Sequence, residues 1–128
     1  MRTILVVDDD AWMRVLVRDV LAAEGFRVLE ASDGQDAMRV AAEHPGPIHL
    51  LLTDVMMPGM NGCELATGLT GLLPGLKVMF MSAFDRDFLV ARGLNPIGPV
   101  ILKPFMVEHL VRRVHMVLRG DPVPARAR

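Results

Sequence analysis

What most constrains the fold of this chain is a rhythm: apolar runs of strand length alternate with segments of helical period from one end to the other. Thr3–Val7 is such a run, closed by Asp8, Asp9 and Asp10. Over residues 11–24, Met13, Leu16, Val17 and Val20 recur at the i, i+3, i+4, i+7 spacing of one helix face. Arg14, Arg18 and Asp19 fall off that stripe, and Gly25 is placed to stop the helix. Phe26–Glu30 is predicted as the second strand. Ser32 with Gln35 three residues on opens a second helix as a capping box, and Pro45-Gly46-Pro47 ends it. His49–Thr53 holds the Leu50-Leu51-Leu52 run of a buried strand. A loop from Asp54 to Gly62 leads to a third helix ending near Leu72. Lys77–Met81 is a fourth strand, residues 84–92 a short helix, and Val100–Leu102 a short fifth strand. Val107, Leu110, Val111, Val114, Val117 and Leu118 form the stripe of the last helix, with Arg112, Arg113 and Arg119 off it.

Five strands alternating with five helices, strand first, predict an α/β fold with a parallel sheet covered on both faces. Five strands favour the flavodoxin-like order 2-1-3-4-5. Residues 1–119 are read as one domain. The stretch after Gly120 has no periodicity and is read as a disordered tail over 120–128. A chain of 128 residues, 52% of them apolar, can bury about two-thirds of its unfolded surface in one core. With 14 basic and 15 acidic residues, no global charge excess points to nucleic acid or to a solvated, disordered chain. Cys63 is the only cysteine, which excludes an intramolecular disulfide and a cysteine-based zinc site. The N-terminal apolar run Ile4–Val7 is too short for a signal peptide or a membrane helix, so a cytoplasmic location is expected.

Polar residues stand at the carboxyl end of four of the five strands: Asp8 and Asp9, Asp54, Ser82 and Lys103. In an open α/β sheet, ligands bind beyond those ends. In the order 2-1-3-4-5 the four strands concerned are neighbours, so the five side chains converge. Two unit charges ~4 Å apart repel by roughly 4 kcal/mol at an effective dielectric of ~20. A hard divalent cation relieves that repulsion, and Mg²⁺ binds through one or two carboxylates plus water and phosphate oxygens. One carboxylate is then free to attack phosphorus and form an aspartyl phosphate. Lys103 and Ser82 would meet the other phosphoryl oxygens. Taken singly, each residue has a plainer role. Asp10 is a helix N-cap, a strand-end aspartate is a turn residue, and a lone lysine is solvated. His44, His49, His109 and His115 lack metal-ligand spacing, Cys63 is a packing residue, and Met56, Met57 and Met60 are core filler or pocket rim. Only the joint placement asks for chemistry.

Four stretches carry a resemblance: Ile4-Leu5-Val6-Val7-Asp8-Asp9-Asp10, Thr53 through Gly62, Met81-Ser82-Ala83 and Lys103-Pro104-Phe105. Over residues 2–119 the chain resembles the receiver domains of bacterial response regulators. In its middle region, including Pro74-Gly75-Leu76-Lys77-Val78, it is most similar to receivers attached to hybrid histidine kinases. The resemblance implies that Asp54 is the phosphoacceptor. It implies that Mg²⁺ is held by the side chains of Asp9 and Asp54, by the backbone carbonyl of Met56, and by Asp8 through water. Lys103 would contact the phosphoryl group, Ser82 would be the hydroxyl that moves toward it, and Lys103-Pro104 would be a cis bond. The implied partners are a histidine kinase or phosphotransfer protein and a downstream protein target. Neither nucleic acid nor membrane is expected, because nine residues after Arg119 leave no room in the chain for a DNA-binding output. The chain departs from the family in two places. Val100 stands where receivers carry an aromatic switch residue, and the segment from Gly93 to Val100 is long.

Three other readings compete. A haloacid-dehalogenase-like phosphatase needs an acid two residues after its nucleophile, where this chain has Met56. A receiver-like module that signals without phosphorylation typically loses an acid or the lysine, and all are present here. A nucleotide-binding domain would need a glycine-rich loop after the first strand, which is absent. The chain is therefore read as a phosphoacceptor rather than an enzyme acting on a separate substrate.

Overall fold

The computed structural model describes residues 1–122, and the end of the predicted tail, residues 123–128, lies outside them. The elements are β1 (Thr3–Val7), α1 (Ala11–Ala23), β2 (Arg27–Ala31), α2 (Gly34–Glu43), β3 (Leu50–Asp54), α3 (Gly62–Leu72), β4 (Lys77–Ser82), α4 (Arg86–Ala91), β5 (Val100–Leu102) and α5 (Val107–Arg119). The five strands form one parallel sheet in the order β2-β1-β3-β4-β5.

Side chains of a strand alternate between faces, so two covered faces demand apolar residues at odd and even positions alike. The chain meets that demand with two separate cores. Leu5, Val7, Leu51, Val78 and Phe80 pack with Ala37 of α2, Leu65 and Leu69 of α3 and Leu89 of α4. Ile4, Val6, Leu50, Leu52, Met79, Met81 and Ile101 pack with Val17 and Leu21 of α1 and with Leu110, Val114, Val117 and Leu118 of α5. Leu51 is fully buried, and truncating such a leucine to alanine typically costs about 2–5 kcal/mol.

Several local expectations shift. β2 and β3 each lie one residue later than the apolar runs indicate, and β3 includes Asp54. The cap of α2 is Asp33, whose side chain accepts the Asp36 N–H, rather than Ser32. Asp33 and Ser32 offer the same capping spacing one residue apart, and the carboxylate is the one that reaches the third N–H. In α1 the buried residues are Val17 and Leu21, while Leu16 is 44% exposed. Consecutive Val15-Leu16-Val17 admits two helix phases, and the sheet selects one of them. In α5, Arg113 is buried and Val107 is 40% exposed, the reverse of the stripe's prediction. Arg113 stays inside by donating from Nε to His109 Nε2 at 3.1 Å. The short fourth helix spans Arg86–Ala91 because Asp85 caps it, leaving Phe84 outside.

Candidate functional site

The carboxyl edge of the sheet begins with Asp8, the first residue after β1. Asp8 has no solvent exposure. Its Oδ1 accepts the Asp10 N–H at 2.9 Å, and its Oδ2 accepts from Lys103 Nζ at 2.9 Å. Asp10 caps α1 by accepting the Trp12 N–H at 3.0 Å, in line with its expected structural role. Asp9 points its carboxylate into the same cluster from an exposed position.

Asp54 ends β3 opposite Met81 of β4. Its Oδ1 accepts the Val55 N–H at 3.0 Å, and its Oδ2 lies 3.5 Å from Lys103 Nζ. The chain must turn back sharply here to begin α3. Gly62 makes this possible: its N–H donates to the Val55 carbonyl at 2.8 Å, and a Cβ at this position would lie 2.1 Å from the Asp54 carbonyl oxygen. Any side chain would therefore push the start of α3 off the phosphoacceptor candidate. A capping box between Asn61 and Glu64 fixes the helix from the other side.

Ser82 ends β4 and is 1% exposed, with its Oγ accepting the Phe84 N–H at 2.9 Å. Its carbonyl accepts the Lys103 N–H at 2.7 Å, tying β4 to the residue that carries the ammonium. The Lys103-Pro104 bond is cis. Met56 and Phe84, each two residues beyond a site residue, are 55% and 41% exposed. Cys63 is buried, as expected of a packing residue.

One ligand oxygen from each of Asp8, Asp9 and Asp54 lies within 4.8 Å of the others, and among the described residues Lys103 is the cation that ion-pairs with them, through Asp8 and Asp54. Burial pushes the Asp54 carboxyl up, Lys103 opposes this, and the charges of Asp8 and Asp9 add to it, leaving its pKa at about 6. Burial works against the Lys103 ammonium, but its bond to Asp8 and the charges of Asp54 and Asp8 outweigh that effect and raise its pKa. The donor set is all oxygen, compact and short of positive charge, which fits a hard dication such as Mg²⁺.

Two arrangements beside the site are not legible in the helical stripes. Arg14, off the expected face of α1, donates from Nη1 to the Asp8 carbonyl at 2.8 Å and from Nε to Glu30 of β2 at 3.3 Å. Beyond Ser82, the Phe84 and Phe88 rings stack at 4.4 Å, and the Arg92 guanidinium lies 4.3 Å over Phe88. An arginine four residues after the Asp10 cap was the only available signal for the first arrangement. Its carboxylate partner comes from another strand.

Comparison with known proteins agrees with this geometry. The model of the response regulator receiver domain family matches residues 4–115. The response regulator receiver protein CpdR of Brucella abortus is 36% identical over 124 residues, covering 92% of this chain and 98% of CpdR. The transcriptional regulatory protein CpxR of Escherichia coli is 35% identical over 122 residues, covering 93% of this chain and 50% of CpxR. The chain thus spans about half the length of such regulators. Among solved structures, the receiver domain of the hybrid histidine kinase CckA has 34% sequence identity and a TM-score of 0.76, with 91% of this chain and 98% of that one covered. The response regulator TrrA of Thermotoga maritima, solved in complex with Mg²⁺ and BeF, has 27% identity and a TM-score of 0.76, with coverage of 91% and 99%.

Proposed function

The chain belongs to the response regulator receiver domain family, and from that premise we propose that Asp54 is its phosphoacceptor. The observation that carries this reading is a difference between the three carboxylates. Asp8 is sealed from solvent and has both oxygens engaged. Asp9 is exposed and stands outside the contacts of Lys103. Asp54 alone combines partial exposure with an oxygen 3.5 Å from the ammonium.

In the proposed reaction an Asp54 oxygen attacks the phosphorus of a phosphohistidine. The P–O bond forms as the P–N bond breaks, and the departing imidazole leaves with the electron pair. Lys103 would neutralise a phosphoryl oxygen, and the Ser82 hydroxyl would donate to another. Asp9, Asp54 and the Met56 carbonyl would hold Mg²⁺ directly and Asp8 through water. Bound there, the ion would supply charge neutralisation for the phosphoryl oxygens. The partners in this reading are a histidine kinase or phosphotransfer protein and a downstream protein target. The domain is assigned to residues 1–119 and the location to the cytoplasm. Among the described residues no helix is long and apolar enough to cross a membrane. Met56 offers no acid for hydrolysing separate phosphoesters, so the chemistry is confined to phosphorylation and loss of phosphate at Asp54 itself.

Intact mass after incubation with acetyl phosphate and Mg²⁺ is the test. The wild-type chain should gain one phosphoryl mass and Asp54→Asn none. Equal labelling of the two would overturn the assignment.

A further inference from the structure

Asp8 is held at every polar atom it has. Beyond the two contacts of its carboxylate, its N–H donates to the Ala31 carbonyl at 3.3 Å, and its carbonyl accepts from Arg14 Nη1 at 2.8 Å. Among the described residues, the last contact is the only one made by a side chain from outside the site. It also acts on a particular group. The Asp8 carbonyl belongs to the planar peptide that leads into Asp9. Fixing that oxygen therefore fixes the direction in which the Asp9 Cα leaves the strand. Asp9 is exposed and has little packing to orient it, so the aim of its carboxylate depends on that backbone.

Arg14 is in turn held by Glu30, whose Oε1 accepts its Nε at 3.3 Å, while Oε2 accepts from Arg18 Nη1 at 2.9 Å. Glu30 lies on β2, in register with Val6 of β1. The side chain of Arg14 is only 19% exposed. A half-buried guanidinium with one carboxylate fixed on Nε has little freedom to swing toward the acidic cluster, and its fork geometry leaves Nη1 aimed at the carbonyl.

We propose that Arg14, braced by Glu30, is a positioning residue for the divalent-cation site, acting through the Asp8–Asp9 peptide rather than through its charge. The inference rests on the assignment of Asp9 and Asp54 as metal ligands, but it predicts an effect whose sign separates the two ways Arg14 could act. A cation beside three carboxylates repels Mg²⁺, so removing a purely electrostatic Arg14 must tighten metal binding. Removing a positioning residue must weaken it, and supporting groups of this kind are commonly worth about 10- to 100-fold in metal affinity.

The experiment is a Mg²⁺ titration of the whole chain by calorimetry, with the fluorescence of Trp12, the only tryptophan and two residues from Asp10, as a second signal. Arg14→Met should weaken Mg²⁺ binding about 10-fold. Arg14→Lys keeps the charge but lacks the fork, and should resemble Arg14→Met rather than wild type; it also serves if the methionine variant does not fold. Glu30→Gln should weaken binding by a smaller factor. Without metal, the near-ultraviolet circular dichroism of Arg14→Lys should match that of the wild-type chain, a match that a general loss of structure would not give. Binding by Arg14→Met or Arg14→Lys as tight as wild type, or tighter, would overturn the proposal. A wild-type chain that fails to bind Mg²⁺ at all would instead overturn the metal assignment on which it rests.

Discussion

The carboxyl ends of β1 and β3 and the region of α4 are neighbours along the sheet, yet they are built in opposite ways. At the first, Asp8 is buried with all its polar atoms engaged, and Lys103 reaches both Asp8 and Asp54. At the second, α4 has six residues and buries only Leu89. Phe84 and Phe88 stack on each other at 41% and 36% exposure. One side chain ties this helix to the segment before β5: Arg86 donates to the carbonyls of Pro96 and Gly98. The contrast teaches where a change of charge at Asp54 will be felt. A ligand moves a conformational equilibrium only through differential affinity for its states. From the tightly tied rim, the Phe84 N–H on Ser82 Oγ leads toward α4, and Arg86 ties that helix to the Pro96 and Gly98 carbonyls.

The largest expected effect lies on the rim. Lys103→Met leaves the buried Asp8 carboxylate without its cation, which should cost about 3–5 kcal/mol in urea denaturation without metal. Arg86→Met, on the looser side, takes the donor from the part-buried carbonyls of Pro96 and Gly98 and should cost less, about 2 kcal/mol. Equal losses in the two variants would erase the contrast.

Next comes the pH dependence of stability. The pKa of Asp54 is raised from 3.8 to about 6, so the folded chain holds this proton more tightly than the unfolded one. Stability from this group is therefore greatest below pH 3.8 and is lost as pH rises to about 6. The full penalty above that pH is on the order of 3 kcal/mol. Asp54→Asn removes it, so without Mg²⁺ the variant should be the more stable protein at pH 7. Their difference should shrink as pH falls toward 4, which urea melts at several pH values would reveal. A difference that stays constant with pH would mean that Asp54 is not strained by its neighbours.

Mg²⁺ should raise the melting temperature of the wild-type chain by binding its folded state, by about 2.7 kcal/mol of stability at 100 times its Kd. Asp9→Asn should abolish the response and leave the fold intact. A wild-type melting curve that ignores Mg²⁺ would break the rim's side of the comparison.

The smallest effect belongs to the looser region. Val100 is stiff at χ1 and offers no long lever. Beryllofluoride with Mg²⁺ should therefore shift amide signals around Asp54, Ser82 and Lys103 and alter residues 86–102 only weakly. Large, concerted shifts across that stretch would show that the Phe84–Phe88 stack has taken the place of the missing ring.

The residues of the candidate site are legible in the sequence because the logic of a parallel sheet is one-dimensional. Asp8, Asp9, Asp54, Ser82 and Lys103 each close an apolar run, and a sheet of order 2-1-3-4-5 brings such ends together. Element boundaries and helix phases were less legible. Leu16 and Arg113 show why: a helix whose apolar residues exceed one stripe can settle in more than one rotation, and small differences in packing against the sheet choose among them. Ser32 and Asp33 repeat the lesson at a helix start, where two residues offer equivalent capping patterns.

Sequence alone thus determined the fold class, the strand order and the residues around the acidic pocket, because strand burial and the position of strand ends are local properties of the chain. Tertiary structure alone decided how those residues differ. It sealed Asp8, left Asp54 partly open, and set Arg14 between the Asp8 carbonyl and Glu30, residues separated from it by 6 and 16 positions. Such differences depend on distances between strands, on desolvation and on the sum of nearby charges. Those quantities exist only once the elements have packed.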